Sequence, residues 1–403
     1  MNLGLSPQDA AFRDEVRAFL DSALTPKLRR AGTLMTSVYC DHDAQLEWQA
    51  LLHRRGWAAP SWPTEHGGCD WSVIQRYIFT RERLLAGAPT SPLGINMVGP
   101  AIMRFGNDAQ KAFFLPRMLT GEHFWCQGYS EPQAGSDLAA LAMRAVRDGD
   151  DLVCTGTKIW TTHANVANWM FCLVRTTTGP RRQQGITFLL IDMDSPGIDV
   201  KPIVMSSGEW VQNQIFFDEV RVPLANIVGH IDDGWTVAKY LLEYERGGTA
   251  YAAELQVKLD AIRRNLAGDA LLDDPLFTAR LAETEIEVEV LDAMEAEILA
   301  ALGDDRAIGA DASMMKILGT ELQQRVTELA LDAAGPMARA YQPGVAVPGG
   351  PIVGYPIVLD DYCSGQPWQA IAPLRYLNER AGTIYAGANE IQRGILAKAE
   401  LGL

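Results

Sequence analysis

No Cys-x-x-Cys pair occurs in this chain; its six cysteines, Cys40, Cys69, Cys126, Cys154, Cys172 and Cys363, are scattered over 403 residues. That spacing excludes a disulfide framework and implies reduced thiols in a cytosolic compartment. No segment approaches the ~20 apolar residues that span a bilayer, and the N-terminus has neither a basic n-region nor an apolar h-region. No membrane association is expected, and cytoplasmic residence follows. Positive charge is scarce, with 35 Lys and Arg against 50 Asp and Glu and a net charge of -15. Nucleic acid and anionic lipid are therefore poor partners, and small molecules and other proteins better ones. There is no Gly-x-Gly, so no dinucleotide fingerprint, and Gly229 and Gly234 have phosphate-loop spacing but Trp235 stands where Lys is required. No Gly-x-Ser-x-Gly nucleophile elbow occurs, and the six histidines include no HExxH, so no metal site is expected.

What is present is an ordinary globular composition, 48% hydrophobic and 21% charged, long enough for two or three domains. Ser6, Pro7 and Asp9 read as the cap, first position and capping box of a helix, and helical spacing (Phe12, Val16, Phe19, Leu20) continues to about Leu119. From Trp125 to Pro223 the pattern becomes short strands: DLVCTGTKIW, NWMFCLVRT, GITFLLIDM and NQIFFDEVRVP. Long helices then return. Val237, Tyr240, Leu241, Tyr244, Gly248, Tyr251, Leu255 and Leu259 share one face, which predicts a single long helix interrupted in sequence by Gly247 and Gly248. A second helix is expected over about Ala279 to Leu302, with Glu283, Glu285, Glu287 and Glu289 as a solvated face. A long loop is expected over Gly335 to Pro356. The fold class is α+β, with an N-terminal helical domain over 1–123, a central β domain over 124–228 and a C-terminal helical domain over 229–403.

Three stretches permit chemistry. CQGYSEPQAGSDLAAL, 126–141, offers the Ser130 and Ser136 hydroxyls and glycine-flanked backbone amides to an anionic or carbonyl-rich ligand, although by spacing alone a capped turn before the next element is the simpler reading. In GTKIWTTHAN, 156–165, strand alternation predicts Lys158, Trp160 and Thr162 on one face, with a core tryptophan as the plainer alternative. TIYAGANEIQRGILAKAELGL, from residue 383, is a turn leading into a helix, either a ligand-facing element or a packed terminus.

These stretches together resemble the acyl-CoA dehydrogenase family. The resemblance covers essentially the whole chain, from LSPQDAAFRDEVRAFL through YSEPQAGSD, GTKIWTTHANVANW and FFDEVRVP to YAGANEIQRGILAK. It implies an N-terminal helical domain, a central β domain and a C-terminal four-helix bundle. It also implies non-covalent FAD, desaturation of an acyl-CoA substrate between Cα and Cβ, and transfer of electrons to an electron-transferring flavoprotein. Carried over by position, Tyr129, Ser130, Trp160 and Thr162 surround the flavin, Ser130 and Thr162 near N5 and Trp160 flanking the ring. Asn389 and Glu390 approach the FAD phosphates, and Ser136 the CoA. Fixed donors at the flavin edge would stabilise negative charge where reduction places it.

In most of that family a Glu directly after the tyrosine of the C-terminal turn removes the α-proton. Here Tyr385 is followed by Ala386. A minority carries the base on the first long C-terminal helix, a position matched by Glu245 in LLEYERGG, with Arg246 beside it facing an acid or a phosphate. Gly247 and Gly248 then leave volume for a wide acyl group or serve close helix packing. The usual Arg-x-x-Phe-Gly and Gln-x-x-Gly-Gly motifs are replaced by RRNLAGDALLDDPLF and by Asp332-Ala-Ala-Gly335-Pro, and Ala388 replaces a hydroxyl residue. The pattern most resembles the large subunit of pimeloyl-CoA-dehydrogenase-like and steroid-side-chain heteromeric enzymes. It implies a homotetramer or an α2β2 heterotetramer, the second chain then completing the FAD site. A non-catalytic partner subunit and a flavin oxidase or monooxygenase on the same fold are the alternatives.

Overall fold

The computed structural model describes residues 5–246, 250–303, 310–354 and 363–402, with the side chains of 243–246 and 300–303 outside the description. The first region is helical: α1 (Pro7–Ala23), α2 (Pro26–Thr33), α3 (His42–Arg55), α4 (Val73–Leu85), α5 (Leu93–Asn96), α6 (Val98–Phe105) and α7 (Asp108–Thr120). Ser6 caps α1 as expected, its Oγ accepting the Asp9 N–H at 3.1 Å, while its hydroxyl donates to the Asp9 carboxylate at 2.6 Å. The helix buries Phe12, Val16 and Leu20, one stripe of its surface.

Seven strands follow: β1 (Trp125–Gly128), β2 (Arg144–Asp148), β3 (Asp151–Lys158), β4 (Trp169–Arg175), β5 (Ile186–Asp192), β6 (Ile198–Ile203) and β7 (Gln212–Pro223). They form one sheet in the order β1-β4-β2-β3-β7-β6, with β5 pairing β4. The four strands expected from alternation are present as β3, β4, β5 and β7; β1, β2 and β6 are additional. Side chains alternate across the sheet. Phe171, Leu173, Phe188 and Leu190 join the core beneath the N-terminal helices, whereas Met170, Cys172, Leu189 and Ile191 fill a second core on the other face. All six cysteines are unpaired thiols.

The last region comprises α8 (Gly234–Arg246), α9 (Tyr251–Asn265), α10 (Pro275–Gly303), α11 (Asp311–Ala334), α12 (Pro367–Glu379) and α13 (Asn389–Leu401). The expected single helix through YERGG is two helices. Ala250 precedes α9 with φ -103° and ψ 76°, outside the helical region, and Gly247 and Gly248 lie outside the described residues. Leu255, Leu259, Leu281, Val288, Leu322 and Val326 make the core of α9, α10 and α11. The acidic run on α10 is not only a solvated face, because Glu285 pairs with Arg263 of α9 and Glu287 with Arg325 of α11. The long loop after α11 carries two short 3-10 turns and a bridge from Ile352 to Glu209.

One carboxylate links all three regions. Glu209 is fully buried and accepts from the Thr36 hydroxyl at 2.8 Å, the Ser207 hydroxyl at 3.0 Å, the Asn378 amide at 2.7 Å and the Gly349 N–H at 2.9 Å. Four donors replace its water shell, which offsets the cost of burying the carboxylate.

Candidate active site

The segment after β1 is locked to the end of β3 by a buried ion pair. Lys158 Nζ, fully buried, donates to Glu131 Oε1 at 2.8 Å and to the Tyr129 carbonyl at 3.2 Å. Glu131 also accepts the Ala142 and Met143 N–H groups at 2.6 and 2.9 Å. The pair is therefore satisfied on both sides, the condition under which a buried ion pair is tolerated. The Ile159 N–H donates to the Ser130 carbonyl at 2.9 Å, so half-buried Ser130 lies beside the residues leading to Trp160.

The expectation that Lys158, Trp160 and Thr162 share one strand face is corrected here. β3 ends at Lys158, and Trp160 has φ 58°, a left-handed conformation that costs a bulky residue on the order of 1–3 kcal/mol. The turn sends Lys158 inward and leaves the Trp160 indole 61% exposed. Neighbouring backbone bonds over-determine the geometry, with Thr161 N–H donating to Asn213 O at 3.0 Å and His163 N–H to Val211 O at 2.8 Å. Trp160 is thus not a core tryptophan but an indole held rigidly outward, a flat apolar face ready to stack on a ligand.

Thr162 is half-buried, and its hydroxyl oxygen accepts from Gln212 Nε2 at 3.0 Å. The Tyr39 phenol packs against the same pair; burial raises its pKa, and hydrogen bonding with Thr162 and Gln212 opposes that rise. Tyr129 points elsewhere: its ring meets Phe171 and Phe188 edge-on at 5.9 and 6.4 Å, so it anchors the loop within the core. Ser136 lies exposed on the outer part of the loop, next to the Asp137–Arg182 ion pair, and a side chain built at neighbouring Gly135 would meet nothing within 4 Å.

At the other end, exposed Ala386 follows Tyr385 with φ 52°. Burial, then Glu379, hold the Tyr385 phenol protonated far above the usual tyrosine range. Ala388 occupies the N-cap position of α13 and offers no side-chain cap. The amides of Glu390 and Ile391 therefore present the open positive end of a helix, a ready anion site. The Asn389 side chain is 2% exposed and is committed internally, accepting from Lys316 Nζ at 2.8 Å and donating to Glu321 at 3.2 Å. Glu390 is exposed in the first turn. The structure thus sets Ser130 beside the segment that carries Trp160 and Thr162, and commits Asn389 internally as a support for the turn before α13.

Glu245 and Arg246 close the backbone of α8; their side chains lie outside the described residues. Residues that motif reading missed include Lys316, whose Nζ also donates to the Gly382 carbonyl at 3.2 Å, and Glu379, 7% exposed at the end of α12. Burial raises the Glu379 pKa, and its Oε2 has no partner among the described residues. A lysine inside the apolar run MMKILG was the available signal for Lys316. Among the described residues no cluster of metal-ligating side chains occurs, and no helix is long and apolar enough to cross a membrane.

Comparison with known proteins places the chain in a family along nearly its whole length. Residues 6–122, 126–220 and 232–401 match, in turn, the N-terminal, middle and C-terminal domains of acyl-CoA dehydrogenases. The chain is 36% identical over 379 residues to acyl-CoA dehydrogenase IpdE1 of Mycobacterium tuberculosis, covering 90% of each protein. It is 32% identical to acyl-CoA dehydrogenase FadE26 of the same organism, covering 100% of this chain and 99% of that one. Among solved structures, the Tcur3481-Tcur3483 steroid ACAD superposes with a TM-score of 0.83 at 29% identity, covering 100% of this chain and 99% of that one. The ChsE4-ChsE5 complex from Mycobacterium tuberculosis gives 0.81 at 32% identity, with the same coverage. The chain belongs to the acyl-CoA dehydrogenase family and is a flavin-dependent oxidoreductase.

Proposed function

We propose that this chain is the base-carrying subunit of an FAD-dependent acyl-CoA dehydrogenase that converts an acyl-CoA thioester to its trans-2-enoyl-CoA. The observation that carries this reading is the pairing of Ala386, a methyl group where most of the family has its base, with Glu245 on the last turn of α8. Glu245 takes the α-proton, the electron pair of that C–H bond forms the Cα=Cβ bond, and the β-hydrogen leaves as hydride. FAD, when bound, supplies the acceptor for that hydride.

The residues present fit a flavin. Trp160 offers an exposed indole for the ring, the Ser130 and Thr162 hydroxyls stand on either side of it in sequence, and the uncapped start of α13 suits a phosphate. Tyr129 holds the loop that presents Ser130. Ser136 and Arg246 are assigned to the CoA portion of the substrate by their positions in the sequence, and Asn389 and Glu390 to the turn that meets the FAD phosphates. Similarity to a steroid enzyme and to a two-chain complex supports a steroid-side-chain acyl group and an α2β2 assembly with a second acyl-CoA dehydrogenase subunit. Reducing equivalents then pass to an electron-transferring flavoprotein.

The test is anaerobic flavin bleaching by a panel of straight-chain, branched and steroid-side-chain acyl-CoAs, for this chain alone and with its co-expressed partner. Bleaching by the steroid-side-chain thioester in the two-chain assembly supports the reading. Bleaching that is unaffected by any change in this chain assigns the chemistry to the partner, and rapid oxygen consumption by the reduced protein assigns an oxidase.

A further inference from the structure

We infer that Gln212 is a positioning residue for the Thr162 hydroxyl: its side-chain amide donates to the Thr162 oxygen and to the Tyr39 phenol beside it, and so leaves the Thr162 proton to the ligand. The inference rests on the reading that sets a flavin edge against Thr162. Backbone bonds already fix where Thr162 lies, with Thr161 N–H donating to Asn213 O at 3.0 Å and His163 N–H to Val211 O at 2.8 Å. Those two bonds put Gln212, the first residue of β7, opposite Thr162, as across an antiparallel pair. What they leave open is the direction of the hydroxyl proton, which turns about its own C–O bond.

Gln212 settles that direction. Its side chain is 7% exposed, and Nε2 donates to Thr162 Oγ1 at 3.0 Å. Tyr39 hydrogen-bonds with both Thr162 and Gln212. Gln212 Oε1 is buried without a hydrogen-bond partner among the described residues, so Gln212 meets both hydroxyls through its nitrogen, which can only donate. With its oxygen filled by the amide, the Tyr39 phenol is the donor to Thr162. Thr162 Oγ1 then accepts from two sides, and its own proton points to the open side of a half-buried residue. Turning the amide over would draw the Thr162 proton inward. It would also strand two buried N–H donors instead of one carbonyl oxygen, and orphaned N–H groups are the rarer of the two in folded proteins.

Tyr39 is held in place independently of this network. Its ring meets the His163 ring edge-on at 6.3 Å, and a Cβ at Gly349 would fall 2.9 Å from the Tyr39 Cβ, so the two backbones are in direct contact. His163 Nε2 lies 2.9 Å from the Gly349 carbonyl and closes the same corner. The consequence is chemical: a hydroxyl proton held outward stabilises negative charge on a ring edge beside it, and does so most when that ring is reduced.

The experiment measures the midpoint potential of FAD in the assembled holoenzyme by anaerobic dye titration, and FAD affinity of the apoprotein by fluorescence. Gln212→Met frees the Tyr39 oxygen to accept the Thr162 proton. The preference for reduced over oxidised FAD falls about tenfold, a shift of about 30 mV to more negative potential for a two-electron couple. Affinity for oxidised FAD changes less than about threefold. Adding Tyr39→Phe to Gln212→Met removes the inward acceptor and restores most of the lost preference, a rescue that a packing role would not give. A Gln212→Met enzyme at the wild-type potential overturns the inference, as does a double variant that falls further than Gln212→Met alone. Should Gln212→Met fail to hold flavin, Gln212→Asn, one methylene too short to keep the 3.0 Å contact, is measured with and without Tyr39→Phe under the same two outcomes. Thr162→Val separates the levels. At the wild-type potential it shows that no flavin edge meets Thr162, and the reading falls together with the inference; a lowered potential there beside a normal Gln212→Met removes the role of Gln212 alone.

Discussion

Lys158 and Glu131 meet at 2.8 Å with both side chains essentially without solvent, and this pair sets Ser130 on one side and Trp160 on the other. Lys158→Met strands the Glu131 carboxylate in the interior. A loss of about 3–5 kcal/mol in urea unfolding is expected, with a matching fall in flavin retained on purification. The double change Lys158→Met with Glu131→Gln recovers much of the stability but not the flavin, because the loop is no longer held to the end of β3. Recovery of both would mean that the pair does not position the site.

Trp160→Ala separates stacking from folding. The indole is 61% exposed and its backbone is strained, so removing it changes unfolding stability by no more than about 0.5 kcal/mol. FAD affinity of the apoprotein, by fluorescence titration, falls about threefold to tenfold, the value of one aromatic stacking contact. A large stability loss with unchanged FAD affinity would make Trp160 structural.

His163 gives the protein an acid limit. It is 4% exposed, its Nε2 lies 2.9 Å from the Gly349 carbonyl, and burial lowers its pKa to about 4. A folded-state pKa below the unfolded value near 6.5 gives stability that is fully present above ~6.5 and lost as pH falls through about 4. The contribution at stake is about 3 kcal/mol. His163→Gln, which cannot ionise, should show a shallower fall in melting temperature between pH 6.5 and 4 than the wild type. An identical fall places the acid sensitivity elsewhere.

Much of this architecture is legible in the sequence where local signals and burial agree. β4 and β5 read as strands because both faces of each are packed and their runs are apolar. β2, RAVRD, and β6, IDVKPI, did not read as strands because most of their residues reach solvent and their alternation is weak. The α8–α9 break was hidden because the apolar stripe continues through it, while the cap that starts α9 comes from Glu295, 43 residues away along the chain. Alternation puts Trp160 on a strand face, whereas the structure puts it in a left-handed turn beyond the end of β3. Its φ of 58° is imposed by bonds from Thr161 and His163 to the backbone of Asn213 and Val211, and alternation carries no trace of those. The stretch holding Ser130, Trp160 and Thr162 is thus legible as a motif, whereas the buried polar groups Glu131, Glu209 and Lys316 depend on partners far apart in sequence.

The central claim is that Glu245 is the α-proton base of an active acyl-CoA dehydrogenase subunit, and Glu245→Gln tests it most directly. The variant and the wild type, each assembled with FAD and the partner chain, are mixed anaerobically with a steroid-side-chain acyl-CoA while flavin absorbance is followed. Wild-type bleaching with at least a 10³-fold slower reaction in a variant that retains its flavin is the expected result, on the scale of losing a general base. Equal bleaching in the two proteins would contradict the account and move the base to another residue or to the partner chain.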